Sequence, residues 1–191
     1  MRTLRFIFIC GVALAGPALA ERHPIHAVPI PTDAGIATEA STIIDAPPDR
    51  VAAIAADPAH FVELFPAQEV HVRSAQGDRV LVSVVRKEPW PVGVISWSET
   101  VARYQEDQGR TLVVDRQVQP GSSEFFRWMQ ANLRVRAVPG DPLRSALTYR
   151  VAIQISRWAP LWILRRSNAA AMAATLERLR QMAERSLYGQ K

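Results

Sequence analysis

ASTIIDAPPDRVAAIAADPAHFVELFP, residues 40–66, sets out three elements in quick succession. Its first residues complete a strand-like run, ATEASTIID, whose regular pattern starts at Thr38. APPDRVAAIAADP then predicts a short helix with proline at its start, where the missing N–H costs little. Asp57-Pro58 reads as the cap and first position of a second short helix, which runs to Phe65 and stops before Pro66. The rest of the chain must close around this strand and its two short helices.

Downstream, strand-like segments follow at roughly 67–75, 79–87, 93–104, 110–119, 124–137 and 145–156. The links Gln76-Gly77-Asp78, Glu88-Pro89-Trp90-Pro91, Asp107-Gln108-Gly109, Pro120-Gly121 and Pro139-Gly140-Asp141-Pro142 separate them. All are short, so the natural topology is an antiparallel meander. The last segment, Pro160 to Leu187, has a helical period: Leu161, Leu164, Asn168, Met172, Leu176, Leu179, Ala183 and Leu187 recur at three and four. Arg166, Glu177, Arg178, Gln181, Glu184 and Arg185 take the other faces. Such a helix is about 40 Å long. The expected fold class is α+β, a helix-grip arrangement in which a curved antiparallel sheet of one strand plus a six-strand meander wraps a long C-terminal helix.

Upstream, MRTLRFIFICGVALAGPALA has Arg2 and Arg5 ahead of an apolar centre, Phe6 to Ala15, and ends in Ala18-Leu19-Ala20. That is the layout of a secretory signal peptide, too short to be an ordinary spanning helix. Residues 21–37, with three prolines and no periodicity, read as an extended leader, which leaves 38–188 as the one domain. Cleavage after Ala20 would remove the single cysteine, Cys10, and lower the formal net charge from +5 to +3 by taking away two arginines and no acids. The processed chain would have no disulfide, thiolate nucleophile or cysteine metal site. The expected location is outside the cytoplasm, in a bacterial periplasm, or at the membrane if the N-terminal segment stays as an anchor.

The basic balance rests on arginine, since Lys87 and Lys191 are the only lysines. These arginines are scattered through strands and one helix rather than gathered into a patch, which argues against a nucleic-acid partner. No Gly-x-Ser-x-Gly elbow, phosphate loop, zinc spacing or calcium-type carboxylate run is present. His60 and His71 have no evident carboxylate partner in sequence, and His23 and His26 have no third metal ligand near them. No catalytic residue, metal or cofactor is therefore expected, and binding is favoured over catalysis.

The order of elements resembles the START-like superfamily, which includes Bet v 1-like, polyketide cyclase and lipid-transport proteins. The coenzyme-Q-binding bacterial branch is the nearest in pattern. The residues that carry the resemblance are Ala46-Pro47, Val51, Asp57 and Phe61 through Pro66. It implies a hydrophobic ligand held between sheet and helix, and it leaves open an enzyme of the cyclase/aromatase kind.

Strand parity locates a candidate site. A turn centred on Asp107-Gln108 sets Trp97 opposite Val118, Glu99 opposite Arg116 and Val101 opposite Val114. Centring the next link near Gly121-Ser122 sets Arg116 beside Arg127 and Val114 beside Met129. The turn after that places Leu133 near Tyr149 and Ala131 near Val151. One face then carries Trp97, Val101, Val114, Val118, Met129, Leu133, Tyr149, Val151 and Ile153, together with Glu99, Arg116 and Arg127. Three charges on an apolar face must be paired if buried. They form either a head-group cluster in a cavity or a salt-bridge network at the rim of the sheet.

The helix adds Asn168 and Met172 to the expected cavity wall. The alanines from Ala169 to Ala174 either leave room for a ligand or serve close packing. The meander also collects Phe65, Trp90, Phe125, Phe126, Trp158 and Trp162 at one end of the sheet. Trp90, Trp158 and Trp162 are the expected portal, with Arg157, Arg165 and Arg166 placed to meet anionic head groups of a membrane. The leading expectation is a carrier or sensor of a lipid, quinone or polyketide-like molecule. A cyclase with Glu99 or Tyr149 as acid/base, or an interaction protein without a ligand, are the alternatives; oligomeric state is not legible.

Overall fold

A computed structural model describes the backbone of residues 23–30, 32, 35–65, 67–88, 93–155 and 161–188, and the side chains of the last helix from 168 to 185. Residues 1–20 and the portal residues Trp90 and Trp158 lie outside the described residues, as does the side chain of Trp162.

Eight strands are described: β1 His26–Ile30, β2 Ile36–Ile44, β3 Glu69–Gln76, β4 Arg79–Glu88, β5 Gly93–Glu106, β6 Thr111–Val118, β7 Phe126–Val138 and β8 Asp141–Ile155. They form one antiparallel sheet in the order β1-β2-β8-β7-β6-β5-β4-β3, with the six-strand meander intact and β2 returned beside β8. Helices α1 (Pro48–Ala56) and α2 (Phe61–Leu64) link β2 to β3, and α3 (Leu161–Tyr188) ends the fold. This is the expected helix-grip architecture.

The opening stretch folds as its residues dictate. Pro48 occupies the first turn of α1, whose Val51, Ala52 and Ala55 are buried. The Asp57 carboxylate accepts a hydrogen bond from the Ala59 N–H at 2.9 Å and caps the next turn, Pro58–His60. Phe61 and Leu64 on α2 are fully buried. They belong to one core cluster with Met172, Leu176, Leu179 and Ala183 of α3.

The leader holds a strand that periodicity does not reveal. Residues 26–30 pair with β2 from His26↔Ser41 to Ile30↔Ala37. An edge strand tolerates Pro29, and its mixed exposure leaves no alternation to read. It is held from the side by α3: the Arg180 guanidinium donates to the carbonyls of His23 (2.7 Å) and Ile43 (3.3 Å) and to the Thr42 hydroxyl, and pairs with Glu177 at 3.0 Å. Gly35, at φ +90°, makes the turn into β2; a Cβ there would lie 2.2 Å from the Ile153 carbonyl oxygen.

Two of the three expected registers are displaced. Residues 107–110 separate Glu106 from its partner Thr111, and Asp107, Gln108 and Gly109 all take left-handed backbone conformations. Glu99 therefore pairs with Val118 and Val101 with Arg116, two residues from expectation. Between β6 and β7 the displacement is four, with Arg116 opposite Ala131 and Val114 opposite Leu133. Ser122 and Ser123 organise that longer link: the Ser122 hydroxyl donates to the carbonyls of Ser98 and Gln119, and the Ser123 oxygen accepts from the N–H groups of Phe125 and Phe126. The third register, Leu133↔Tyr149 and Ala131↔Val151, is as expected. Both displacements are even, so neither by itself moves a residue to the other face.

Candidate ligand-binding site

The concave face carries Trp97, Val101, Val114, Val118, Met129, Leu133, Tyr149 and Val151, all buried. Between it and α3 lies a cavity of about 170 Å³. Trp97 of β5, Arg116 of β6, Phe126, Met129 and Ala131 of β7, and Tyr149, Val151 and Ile153 of β8 form the sheet side. Asn168, Ala171, Met172, Ala174, Thr175 and Arg178 form the helix side, and Phe65 and Arg86 complete the wall. A smaller void of about 20 Å³ lies beyond, under Leu64, Val114, Leu176 and Leu179, and shares Phe65, Arg116, Tyr149 and Thr175 with the first. Apolar cavities of about 150 Å³ stay dry and accept a ring such as benzene. The mouth is open, since Ala171 and Ala174 remain exposed.

The polar feature of this wall is an ion pair. Glu99 and Arg116 are 0% and 5% exposed. They sit diagonally across β5 and β6, a separation that a long side chain spans. Arg116 Nε and Nη2 both donate to Glu99 Oε1, at 2.8 and 2.5 Å, and Trp97 Nε1 donates to Oε2 at 2.9 Å. The guanidinium also lies 3.7 Å from the ring centroid of Phe65 and 4.7 Å from that of Phe61, within cation–π range. Both carboxylate oxygens are thus engaged, and Glu99 is screened from the cavity by its partner.

Tyr149 stands beside the pair. Burial pushes its phenol above the ordinary value; the Arg116 guanidinium, by charge and hydrogen bond, pulls the other way, and Glu99 adds to the rise. Its hydroxyl oxygen accepts from Arg116, and the phenol keeps its proton.

Of the residues singled out in the sequence, Trp97, Arg116, Tyr149, Ile153, Asn168 and Met172 line the cavity. Val101 lies in the packed core, and Glu99 lies behind Arg116. Arg127 is a correction: it is exposed, because β7 has a bulge between Phe126 and Trp128. The extra residue turns Phe126 inward, where its ring meets Trp97 edge-on at 5.5 Å. Arg178 also departs from expectation, since it reaches the cavity rather than an outer face. Its signal was the spacing Asn168, Ala171, Thr175, Arg178, a stripe beside the leucine stripe. His60 and His71 do find carboxylates, Asp57 at 3.8 Å and Glu69 at 3.3 Å, but both pairs are largely exposed on the surface. Among the described residues no group of three metal-ligating side chains occurs, and no helix is long and apolar enough to cross a membrane.

A model of the family described as polyketide cyclase / dehydrase and lipid transport matches residues 36–184. No curated protein matches the sequence. Among solved structures, a STAR-related lipid transfer protein from Xanthomonas axonopodis superposes with a TM-score of 0.71 at 15% identity, covering 83% of this chain and 93% of that one. Human StAR-related lipid transfer protein 5 gives 0.68 at 11% identity, covering 84% and 82%. The Zhui aromatase/cyclase from Streptomyces sp. R1128 gives 0.61 at 17% identity, covering 86% and 96%. At these identities the structural likeness establishes the shared fold.

Proposed function

We propose that this chain, which belongs to the polyketide cyclase / dehydrase and lipid transport family, binds a hydrophobic small molecule in the cavity under α3 and carries it outside the cytoplasm. The observation that carries this reading is the cavity itself. Its wall is aromatic and aliphatic on the sheet side, while alanines at 171 and 174 leave space on the helix side. Leucine at either alanine would gain roughly 1.5–3 kcal/mol if fully buried. A lipid, quinone or polyketide-like ring system suits such a wall.

Export by the N-terminal segment and a periplasmic location belong to this proposal, as does entry past Trp90, Trp158 and Trp162. Support for transient membrane contact comes from the same end of the sheet, where Val94 is 64% exposed, Trp128 is 39% exposed and Arg127 faces solvent. The cyclase alternative needs Glu99 or Tyr149 as acid/base. Glu99 has both oxygens committed to Arg116 and Trp97 and does not line the cavity, so binding is the better-supported reading.

Native mass spectrometry of the purified protein, followed by solvent extraction, tests the proposal. A co-purifying apolar molecule that is lost in Ala171→Trp is the expected result. An unchanged complement of bound molecules in that variant would refute the cavity as the site.

A further inference from the structure

We propose that the cavity selects an anionic amphiphile, with an acid head group held by Arg178 and Arg116 and an apolar tail laid against Trp97, Met129 and Met172. This rests on the carrier reading and adds the chemical class of its ligand. Among the described residues every charged side chain that lines the cavity is an arginine: Arg86, Arg116 and Arg178. Among the described residues no carboxylate reaches it. Glu99 is not part of the wall and is paired with Arg116.

Arg86 has a partner of its own, so the argument does not depend on it. Arg178 is the telling residue. It is half-buried, it makes no ion pair among the described residues, and its hydrogen-bond partner is the Leu64 carbonyl at 3.3 Å. Arg180, farther along the same helix, shows the contrast: there a carboxylate, Glu177, supplies the counter-charge. A guanidinium in a largely apolar wall without a carboxylate is a site short of one anion. A carboxylate or phosphate would accept two N–H bonds from it, with the Tyr149 hydroxyl and the cationic edge of Arg116 on the far side. Phe65, stacked on Arg116, and Met172 then shield the chain that follows the head group.

Isothermal titration of the full chain tests this with matched ligands: fatty acids, alkyl phosphates and alcohols bearing octyl, dodecyl or hexadecyl chains. The expected result is that at least one anion binds about tenfold or more tightly than the alcohol of equal length, the increment typical of a charge-assisted hydrogen bond. Comparing carboxylate with phosphate then identifies the head group. Arg178→Gln should weaken the anion about tenfold more than it weakens the alcohol, and Arg178→Lys should restore part of the difference. Equal binding of acid, phosphate and alcohol, or an acid preference untouched by Arg178→Gln, would overturn the inference while leaving the carrier reading standing. Failure of every chain in the panel to bind would likewise overturn the inference, whereas the carrier reading falls only if the purified protein holds no apolar molecule in native mass spectrometry.

Discussion

Glu99→Gln is the sharpest perturbation the structure offers. Glu99 Oε1 receives two N–H bonds from Arg116 and Oε2 receives one from the Trp97 indole. A glutamine keeps an acceptor for the guanidinium but presents an NH2 group to the indole N–H, donor against donor. It also leaves Arg116, 5% exposed, without its counter-ion. Breaking a buried pair from one side costs about 3–5 kcal/mol, of which the indole conflict is about 1 kcal/mol. For a chain of this size that lowers the melting temperature by roughly 6–20 °C. Removing both charges together is a different matter. Glu99→Leu with Arg116→Met deletes two desolvated ions, and methionine keeps favourable contact with the Phe61 and Phe65 rings. The double variant should lie within about 1–2 kcal/mol of the wild type. Urea unfolding of the wild type, Arg116→Met, Glu99→Leu and the double variant closes the cycle, with an expected coupling of several kcal/mol. Additive single effects, or a Glu99→Gln variant as stable as the wild type, would refute the account of the pair. If Glu99→Gln is destabilised yet binds ligand with unchanged affinity, the role of Glu99 is confined to holding Arg116.

Gly35→Ala should cost about 1–3 kcal/mol in chemical denaturation, because φ is +90° and the new Cβ meets a backbone oxygen that cannot yield; a neutral effect would mean the β1–β2 turn is placed wrongly. Arg180→Met should free the N-terminal strand from α3 and expose residues 23–30 to limited proteolysis before the rest of the domain is cut; simultaneous cutting of the whole domain would sink that expectation. The raised phenol of Tyr149 gives a pH dependence of definite sign. The folded state holds the proton more tightly than the unfolded one, so this contribution is complete below about pH 10 and is lost as pH rises above it. Tyr149→Phe should therefore flatten part of the alkaline fall in stability, and an unchanged alkaline limb would show that Tyr149 is not the group concerned.

The meander was legible because alternation has a period of two and survives even-numbered slips. Displacements of two and four residues left Trp97, Glu99, Val114, Arg116 and Met129 on their expected face, although most of the expected partners changed. An odd event is not survived, and β7 contains one: the bulge after Phe126 sends Arg127 to solvent and admits another aromatic beside Trp97. No residue in FFRWM announces it, since either parity offers an apolar side chain to the core. The strand β1 is hidden for another reason. Its order comes from backbone pairing with β2 and from Arg180 more than 150 positions away, neither of which leaves a local pattern. Arg178 is hard to place because a helix beside a cavity has two inward stripes. One is leucine-rich and packed; the other is small and polar, with the composition of a solvent-facing stripe.

Why the space persists follows from how α3 is attached. Asn168 donates to the Thr38 hydroxyl at 2.9 Å, and Arg180 donates to the Thr42 hydroxyl and the Ile43 carbonyl. Thr38 and Thr42 are buried, inward-facing residues of the same strand. Over that stretch the helix rises about 18 Å and the strand about 13 Å, a difference the long arginine side chain absorbs. Two polar anchors, each costly to leave unpaired once buried, thus lay α3 along β2, near one side of the sheet. Sliding the helix toward β5 and β6 to fill the void would break both. The apolar drive to collapse is weak at that point, because alanine at 171 and 174 has little surface to bury. The cavity is therefore held open by hydrogen bonds on one flank and by the Glu99–Arg116 pair, braced on Phe61 and Phe65, on the other.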